Sequence, residues 1–298
     1  MLAPFTFARF MIGWGSIVLL FFWVHFFILF HETGKPLGPF RKRMIRLGTY
    51  LSGRIVIYAM SCFWINTPKH DANYKKYLGP DWVEDTNMIP GSCISNHATF
   101  MDIILHMYRQ PPSHISKAGV RHIPFVGSIA AAVGCLFIER SDKGQRKDLI
   151  EQIADRQIES EKGLFPPLIL YPEGGTTNGT HLIKFKKGAF HACRSIQPIC
   201  IRYSSPFLSF ENCVYNFFAQ SVLCATCPWT HVTITELPVF LPNEYFWKHH
   251  AKEGEEKWET YARAIREIMS EASGMKMLDV AIEEKYKYRE YIYPNYKG

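Results

Sequence analysis

Charge is missing from one long stretch of this chain. Between Phe10 and Phe30 there is no Lys, Arg, Asp or Glu, and His25 is the only titratable side chain. Those 21 residues would form about 31 Å of helix, which matches a bilayer hydrocarbon core of about 30 Å. The run is too long for a signal-peptide core and no A-x-A site follows it, which argues against a cleaved leader. The chain also lacks a G-x-S-x-G elbow, which argues against a common serine-esterase design. It has no zinc-finger spacing and no basic helix interleaved with aromatics. Nucleic acid is therefore not an expected partner, although the formal net charge is +7. No disulfide framework is evident: the 8 cysteines are scattered, mostly in apolar runs such as those of Cys62, Cys135 and Cys200. They read as reduced core thiols. Cys224-Ala225-Thr226-Cys227 is a lone C-x-x-C, a weak signal for metal or redox chemistry without a second pair. No metal site is expected, and no repeat or low-complexity tract occurs.

What is present begins with a second apolar stretch, Leu47 to Ile65, and a basic cluster before it: Arg41-Lys42-Arg43 with Arg46. The positive-inside tendency places that cluster on the cytoplasmic side, where it attracts anionic headgroups by about 1 kcal/mol per charge. Residues 1–66 read as a membrane anchor of one or two hydrophobic helices, Thr67 to Pro90 as a polar link, and 67–298 as the working domain. Beyond Pro90 short apolar runs alternate with helical patterns. Strands are expected at 89–95, 114–117, 135–139, 168–171, 197–203 and 231–236, and helices at 99–109, 142–161, 187–194 and 255–272. This alternation predicts an α/β fold with a largely parallel central sheet flanked by helices.

The chemically suggestive residues are Asn96-His97-Ala98-Thr99-Phe100-Met101-Asp102 and, far downstream, Tyr171-Pro172-Glu173-Gly174-Gly175. Imidazole suits proton transfer near neutral pH, and a carboxylate beside it fixes its tautomer. Five positions are about 500° of helical rotation, so an unbroken helix would hold His97 and Asp102 apart. The two can meet if His97 lies in a turn and the helix starts near Thr99, a suitable N-cap. Glycines after Glu173 allow backbone N–H groups to approach an anion.

The His97–Asp102 spacing resembles the H-x4-D motif of the glycerolipid acyltransferases, the PlsC-type family. Further blocks follow in the family's order. Gly119 to Gly127 resembles the second block, Phe137-Ile138-Glu139-Arg140 the strand-end block, Tyr171-Pro172-Glu173-Gly174 the F-P-E-G block, and Gln197 to Ile201 the last apolar block. Thr177-Asn178 with Leu182 to Phe190 is similar to the extended third block of the lysophosphatidylcholine and lysophosphatidylethanolamine acyltransferase branch. Two departures stand out: Gly175 replaces the usual threonine after F-P-E-G, and Gly119 replaces an acidic residue.

The resemblance implies a membrane-bound enzyme, at the endoplasmic reticulum with its catalytic domain facing the cytosol, whose partners are acyl-CoA and a lysophospholipid. It implies no metal or prosthetic cofactor, acyl-CoA being a co-substrate. In that reading His97 is the general base, oriented by Asp102. Arg140 takes the family's phosphate role, with Lys117 and Arg121 extrapolated as further anion contacts. Glu173, Gly174 and Gly175 shape the acceptor site. Neighbouring readings are a lysophosphatidic acid or glycerol 3-phosphate acceptor, an inactive lipid-binding scaffold, and a lysophospholipid hydrolase. Asn178-Gly179-Thr180 is a glycosylation sequon, expected to be unmodified on the cytosolic side.

Overall fold

The computed structural model describes residues 3–32, 35–69, 72–110, 113–138, 143–210 and 217–292. In chain order the elements are α1 (Ala3–Ile28), α2 (Pro39–Ala59), β1 (Trp64–Asn66), α3 (Lys75–Leu78), β2 (Ser92–Ser95) and α4 (Met101–Arg109). Next come β3 (Ile115–Lys117), α5 (Val126–Ala132), β4 (Leu136–Ile138), α6 (Lys143–Glu161), β5 (Leu168–Leu170), β6 (His181–Leu182) and β7 (Ile196–Ser204). The last are α7 (Phe217–Thr226), β8 (His231–Glu236), α8 (Glu244–His250), α9 (Lys257–Ser273), β9 (Lys276–Met277) and α10 (Ile282–Ile292).

The central sheet runs β1-β8-β7-β2-β5. Only the β7–β8 pairing is antiparallel, so the sheet is largely parallel, as the strand–helix alternation predicts. β3 and β4 pair in parallel beside it, and His114 bridges in parallel to Ile169 of β5. The C-terminal ends of β2, β5, β3 and β4 therefore share one edge of the molecule, the edge where open α/β sheets bind ligands. Apolar residues cover both faces. One layer gathers Ile94, Leu168, Leu170, Phe240 and Tyr261 against α3, α8 and α9. The other gathers Cys93, Met101, Leu105, Ile169 and Ile234 against α2, α4 and α7.

Some expected boundaries change. α4 starts at Met101 rather than Thr99, because the Asp102 carboxylate captures the N–H groups of Ala98 and Thr99 and holds them in a turn. The expected helix at 187–194 is a 3₁₀ turn, Lys187–Ala189. The polar link at 67–90 is no open linker: Tyr74, Tyr77 and Leu78 are buried in the core, and the Tyr74 hydroxyl donates to the Pro238 carbonyl at 2.9 Å. The basic cluster 41–46 lies on α2, and β1, inside the stretch read as anchor, is a strand of the sheet.

α1 is long and apolar enough to cross a membrane, yet it is laid along the domain. Arg9 is buried and donates to the carbonyls of Ala225 and Cys227, each at 3.1 Å, to Tyr58 O at 3.2 Å and to Ser61 Oγ at 2.7 Å. A guanidinium at the C-terminal end of α7 meets carbonyls with no helical partner and the negative end of the helix dipole. The lone C-x-x-C thus contributes backbone acceptors, and both its thiols are free and buried. Toward the other end of α1, Leu20 and Val24 pack with Ile129 of α5, and Phe21 meets Phe125 at 5.3 Å. From Arg9 to Val24 is about 22 Å of helix held against protein. The opposite face presents Phe5, Phe7, Ile12, Leu19, Phe22 and Phe26 to the exterior. α2 runs beside α1 and packs on α4 through Gly53, where a Cβ would come within 3.0 Å of the Tyr108 backbone nitrogen.

Candidate active site

The site grows from the turn between β2 and α4. β2 is wholly buried and ends at Ser95. Asn96 then ties the turn to β7: its amide donates to Ile201 O at 2.9 Å and its carbonyl accepts from Ile201 N at 2.8 Å. This delivers His97 to the ligand-binding edge of the sheet. The His97 Nδ1 lies 2.8 Å from Asp102 Oδ2. The same oxygen accepts the Ala98 N–H at 2.7 Å and the Thr99 N–H at 3.0 Å, while Oδ1 accepts the Tyr203 hydroxyl at 2.6 Å. An ionised carboxylate is acceptor-only, so Nδ1 is assigned as the protonated nitrogen and Nε2 as the basic one. Asp102 is fully buried, whereas the His97 side chain keeps 16% of its surface open. The pair therefore meets as the spacing allows, although through a turn ending at Phe100 rather than a Thr99 cap.

Tyr171 fixes the remaining freedom of the imidazole. Its ring stacks on His97 with centroids 4.0 Å apart and planes at 17°. With one edge held by Asp102 and one face covered by Tyr171, His97 is pre-set for transfer at Nε2. Tyr171 stands at the end of β5 and Tyr203 within β7, so the sheet itself aims both rings. Burial pushes both phenols well above their usual range, reinforced by the nearby Asp102 charge, so they stay neutral.

Glu173 is completely buried, and its Oε1 accepts the His97 N–H at 3.1 Å. Its other oxygen has no well-formed hydrogen bond among the described residues. Burial pushes its carboxyl up to about 7. The His97 N–H opposes that rise, followed by the Ile183 N–H and the Thr177 hydroxyl, and the Asp102 charge adds to it. Thr177 N–H donates in turn to the His97 carbonyl at 2.7 Å. Glu173 and Thr177 thus clasp the backbone of His97 from both sides, which is a positioning role.

The two glycines behave differently from a free anion nest. Gly174 has φ of +81°, and its N–H donates to the Tyr171 carbonyl at 3.1 Å. At Gly175 a Cβ would come within 3.1 Å of both Ile282 Cγ1 and Tyr286 Oη of α10. Lys285 of the same helix donates to Thr176 O at 2.6 Å and to Thr176 Oγ1 at 2.9 Å. The departure from threonine at Gly175 is therefore matched by α10 packing over the loop.

Of the proposed anion contacts, Arg140 lies outside the described residues, as does Glu139. Lys117 ends β3, so its backbone reaches the same sheet edge as His97. Arg121 is exposed in the 3₁₀ turn after β3 and sits 5.8 Å from the Phe137 ring centroid. Among the described residues no group of three or more His, Cys, Asp or Glu is placed to hold a metal ion.

Sequence reading missed several residues here. Asn96, although it opens the His97 motif, and Tyr203 have no role assignable from the sequence, because both roles depend on β7 lying beside β2. Behind Tyr171 two imidazoles, His106 and His114, lie buried with centroids 6.2 Å apart. Burial holds His114 down to about 4 and His106 well below its usual value, so both are neutral. Neither His114 nitrogen, nor His106 Nε2, nor the Tyr171 hydroxyl has a hydrogen-bond partner among the described residues.

The family described as Acyltransferase matches residues 83–202. The chain is 27% identical to lysophospholipid acyltransferase LPEAT1 of Arabidopsis thaliana, over 88% of this chain and 67% of that protein. It is 27% identical to a lysophosphatidylcholine acyltransferase of Drosophila melanogaster, over 84% of this chain and 43% of that protein. It is 30% identical to lysophosphatidylcholine acyltransferase 1 of Homo sapiens, over 64% of this chain and 34% of that protein. The chain thus spans about two thirds of the plant relative and less than half of the two animal ones. The crystal structure of PlsC from Thermotoga maritima, a 1-acyl-sn-glycerophosphate acyltransferase, shares the fold. Its TM-score is 0.53 at 16% identity, over 91% of this chain and 97% of that one.

Proposed function

This chain belongs to the PlsC-type acyltransferase family, and on that premise we propose that it moves a fatty acyl group from acyl-CoA to the free glycerol hydroxyl of a lysophospholipid. The observation that carries this reading is the His97 imidazole, held by Asp102 at 2.8 Å and stacked on Tyr171, with part of its surface open. His97 Nε2 takes the hydroxyl proton as the alkoxide oxygen bonds to the thioester carbonyl carbon. The carbon–sulfur bond then breaks, and the thiolate of CoA receives the proton from the imidazolium. Asp102 stabilises that imidazolium without itself being protonated. General base catalysis of this kind contributes about 10²–10⁴-fold. No covalent acyl-enzyme and no metal or prosthetic group is called on. Arg140, with Lys117 and Arg121, supplies cationic partners for phosphate; arginine does so with a planar fork. The relatives named above, lysophospholipid and lysophosphatidylcholine acyltransferases, favour an acceptor that keeps its headgroup.

The docked position of α1 supports a membrane reading. With Arg9 and Val24 both held to the domain, α1 lies along the bilayer surface, its exposed apolar face sunk into one leaflet. Exposed Tyr50, Leu51, Ile55 and Tyr58 of α2 and Phe218 of α7 extend that face. Phe217 of α7 packs at 5.0 Å on Phe100, three residues from His97, so lipid entering from the leaflet arrives at the base. The endoplasmic reticulum, with the domain on the cytosolic face where acyl-CoA is made, is the expected location. Purified protein given one labelled acyl-CoA and a panel of lysophospholipids tests the proposal. Labelled diacyl phospholipid with stoichiometric free thiol is expected; labelled free fatty acid would show a hydrolase, and no thiol release a scaffold.

A further inference from the structure

At the opposite end of the sheet from His97 lies a cavity of about 280 Å³. α4 places Asp102 in its first turn and reaches this cavity with Gln110, about 12 Å further along its axis. Pro166 and Pro167 line the cavity just before β5, whose far end leads to Glu173. The space is therefore separate from the catalytic edge. Its character is divided. Ile28, Ile45, Val133 and Phe165 form apolar wall, while Lys35, Lys42 and Arg46 stand in its lining as cations, Lys35 being paired with Glu32. No Asp or Glu lines it among the described residues. The Lys42 ammonium donates to the Gly163 carbonyl at 2.9 Å, and among the described residues the Arg46 side chain has no hydrogen bond or ion pair. The cavity adjoins the end of α1, where Phe26, Leu29 and Phe30 are exposed. Cations beside an apolar wall, in a cavity bordering the end of α1, match an anion carrying a hydrocarbon tail.

We propose that this cavity binds one anionic phospholipid of the bilayer, with its phosphate between Lys42 and Arg46 and part of an acyl chain against Ile45, Val133 and Phe165. The proposal rests on the membrane reading above but not on the acyl-transfer chemistry. It separates a specific lipid seat from the general attraction of a basic surface.

Flotation of the full chain with phosphatidylcholine vesicles, with and without phosphatidylglycerol at equal ionic strength, tests it. The wild type binds both and prefers the anionic vesicles. Arg46→Ala cuts that preference by more than about tenfold, beyond the about fivefold that about 1 kcal/mol per basic residue gives at a membrane surface. Val133→Phe, which adds bulk to the cavity without changing charge, also cuts it while neutral-vesicle binding persists. Arg43→Ala, an exposed charge outside the cavity lining, costs no more than that surface share. Thiol release in detergent is unchanged in all three variants. Equal losses from Arg43→Ala and Arg46→Ala with none from Val133→Phe would overturn the proposal in favour of diffuse charge. A Val133→Phe protein with normal lipid binding but altered acyl-chain preference would also overturn it, making the cavity part of the donor path. Lys42→Ala and Arg46→Ala remove no packed core atoms and keep the test decisive should Val133→Phe not fold. Wild-type protein that floats with neither vesicle overturns the membrane reading and this seat together.

Discussion

Replacing Asp102 with asparagine separates the two jobs of that carboxylate. In the protein Asp102 is fully buried and takes four donors: His97 Nδ1, the N–H groups of Ala98 and Thr99, and the Tyr203 hydroxyl. An asparagine whose carbonyl occupies the Oδ2 position keeps the three nitrogen donors, and its amide can donate to the Tyr203 oxygen. The fold should survive with a modest loss of stability. Catalysis should not, because the imidazolium formed during transfer then lacks a charge partner at 2.8 Å. The expected fall in kcat is about 10²–10⁴-fold, the range that general base catalysis spans, and the corresponding change in a serine-protease triad costs about 10⁴. KM for acyl-CoA should move little, because the interaction is gained on protonation of the base rather than on binding. Asp102→Leu is the contrasting case. It leaves four buried donors unpaired at about 1–3 kcal/mol each, comparable with a whole domain's stability of about 5–15 kcal/mol, and should not yield folded protein. Thiol release from acyl-CoA in the presence of lysophosphatidylcholine reads the first effect and thermal unfolding the second. A folded Asp102→Asn enzyme with kcat within about threefold of wild type would refute the assignment of Asp102.

Four more outcomes are expected. Glu173 titrates near 7 in the folded protein against an ordinary value of 4.5. The native state therefore holds the proton more tightly, and the stability from this group is full below about 4.5 and lost by about 7. Glu173→Gln should thus gain melting temperature relative to wild type as pH rises from 5 to 8; a constant difference across that range would contradict the buried, raised carboxyl. Arg9→Met leaves the Ala225 carbonyl without its donor, at about 1–3 kcal/mol, while Tyr58 O keeps the Ser61 N–H and Cys227 O the Ser61 hydroxyl. α1 should then exchange amide hydrogens faster while β2 and β5 stay protected, and unchanged exchange in α1 would argue against the docked anchor. Gly175→Val should push Ile282 and Tyr286 away and expose α10 to protease, with activity falling; an intact, fully active variant would show that α10 does not pack there in solution. Arg140→Ala should raise KM for the lysophospholipid far more than for acyl-CoA, and an unchanged acceptor KM would remove its phosphate role.

Much of the catalytic frame was legible because parallel strands buried on both faces write themselves as apolar runs. β8 falls at the predicted 231–236, and β2, β5 and β7 within a few residues of their predicted places. The His97–Asp102 pair was legible as spacing. Its partners were not, since Tyr203 and Asn96 depend on β7 lying next to β2, a pairing across about a hundred residues that no local pattern encodes. The helix start was misplaced for a physical reason: Thr99 looks like a cap, but the Asp102 carboxylate supplies the capping oxygen from inside the helix. Composition described α1 correctly as long and apolar, yet composition cannot say where a helix lies. Arg9, one charge just before the apolar run, pins it to the end of α7. Gly175 looked like a loss from the family's pattern until α10 was found packed against it.

The central claim is that His97 accepts the proton of a lysophospholipid hydroxyl. Its most direct measurement compares wild-type and His97→Ala protein, both folded in detergent, with one labelled acyl-CoA and lysophosphatidylcholine. The account predicts that label enters phosphatidylcholine with the wild type and that the rate falls by about 10²-fold or more with His97→Ala. Wild-type transfer rates in the variant would contradict it.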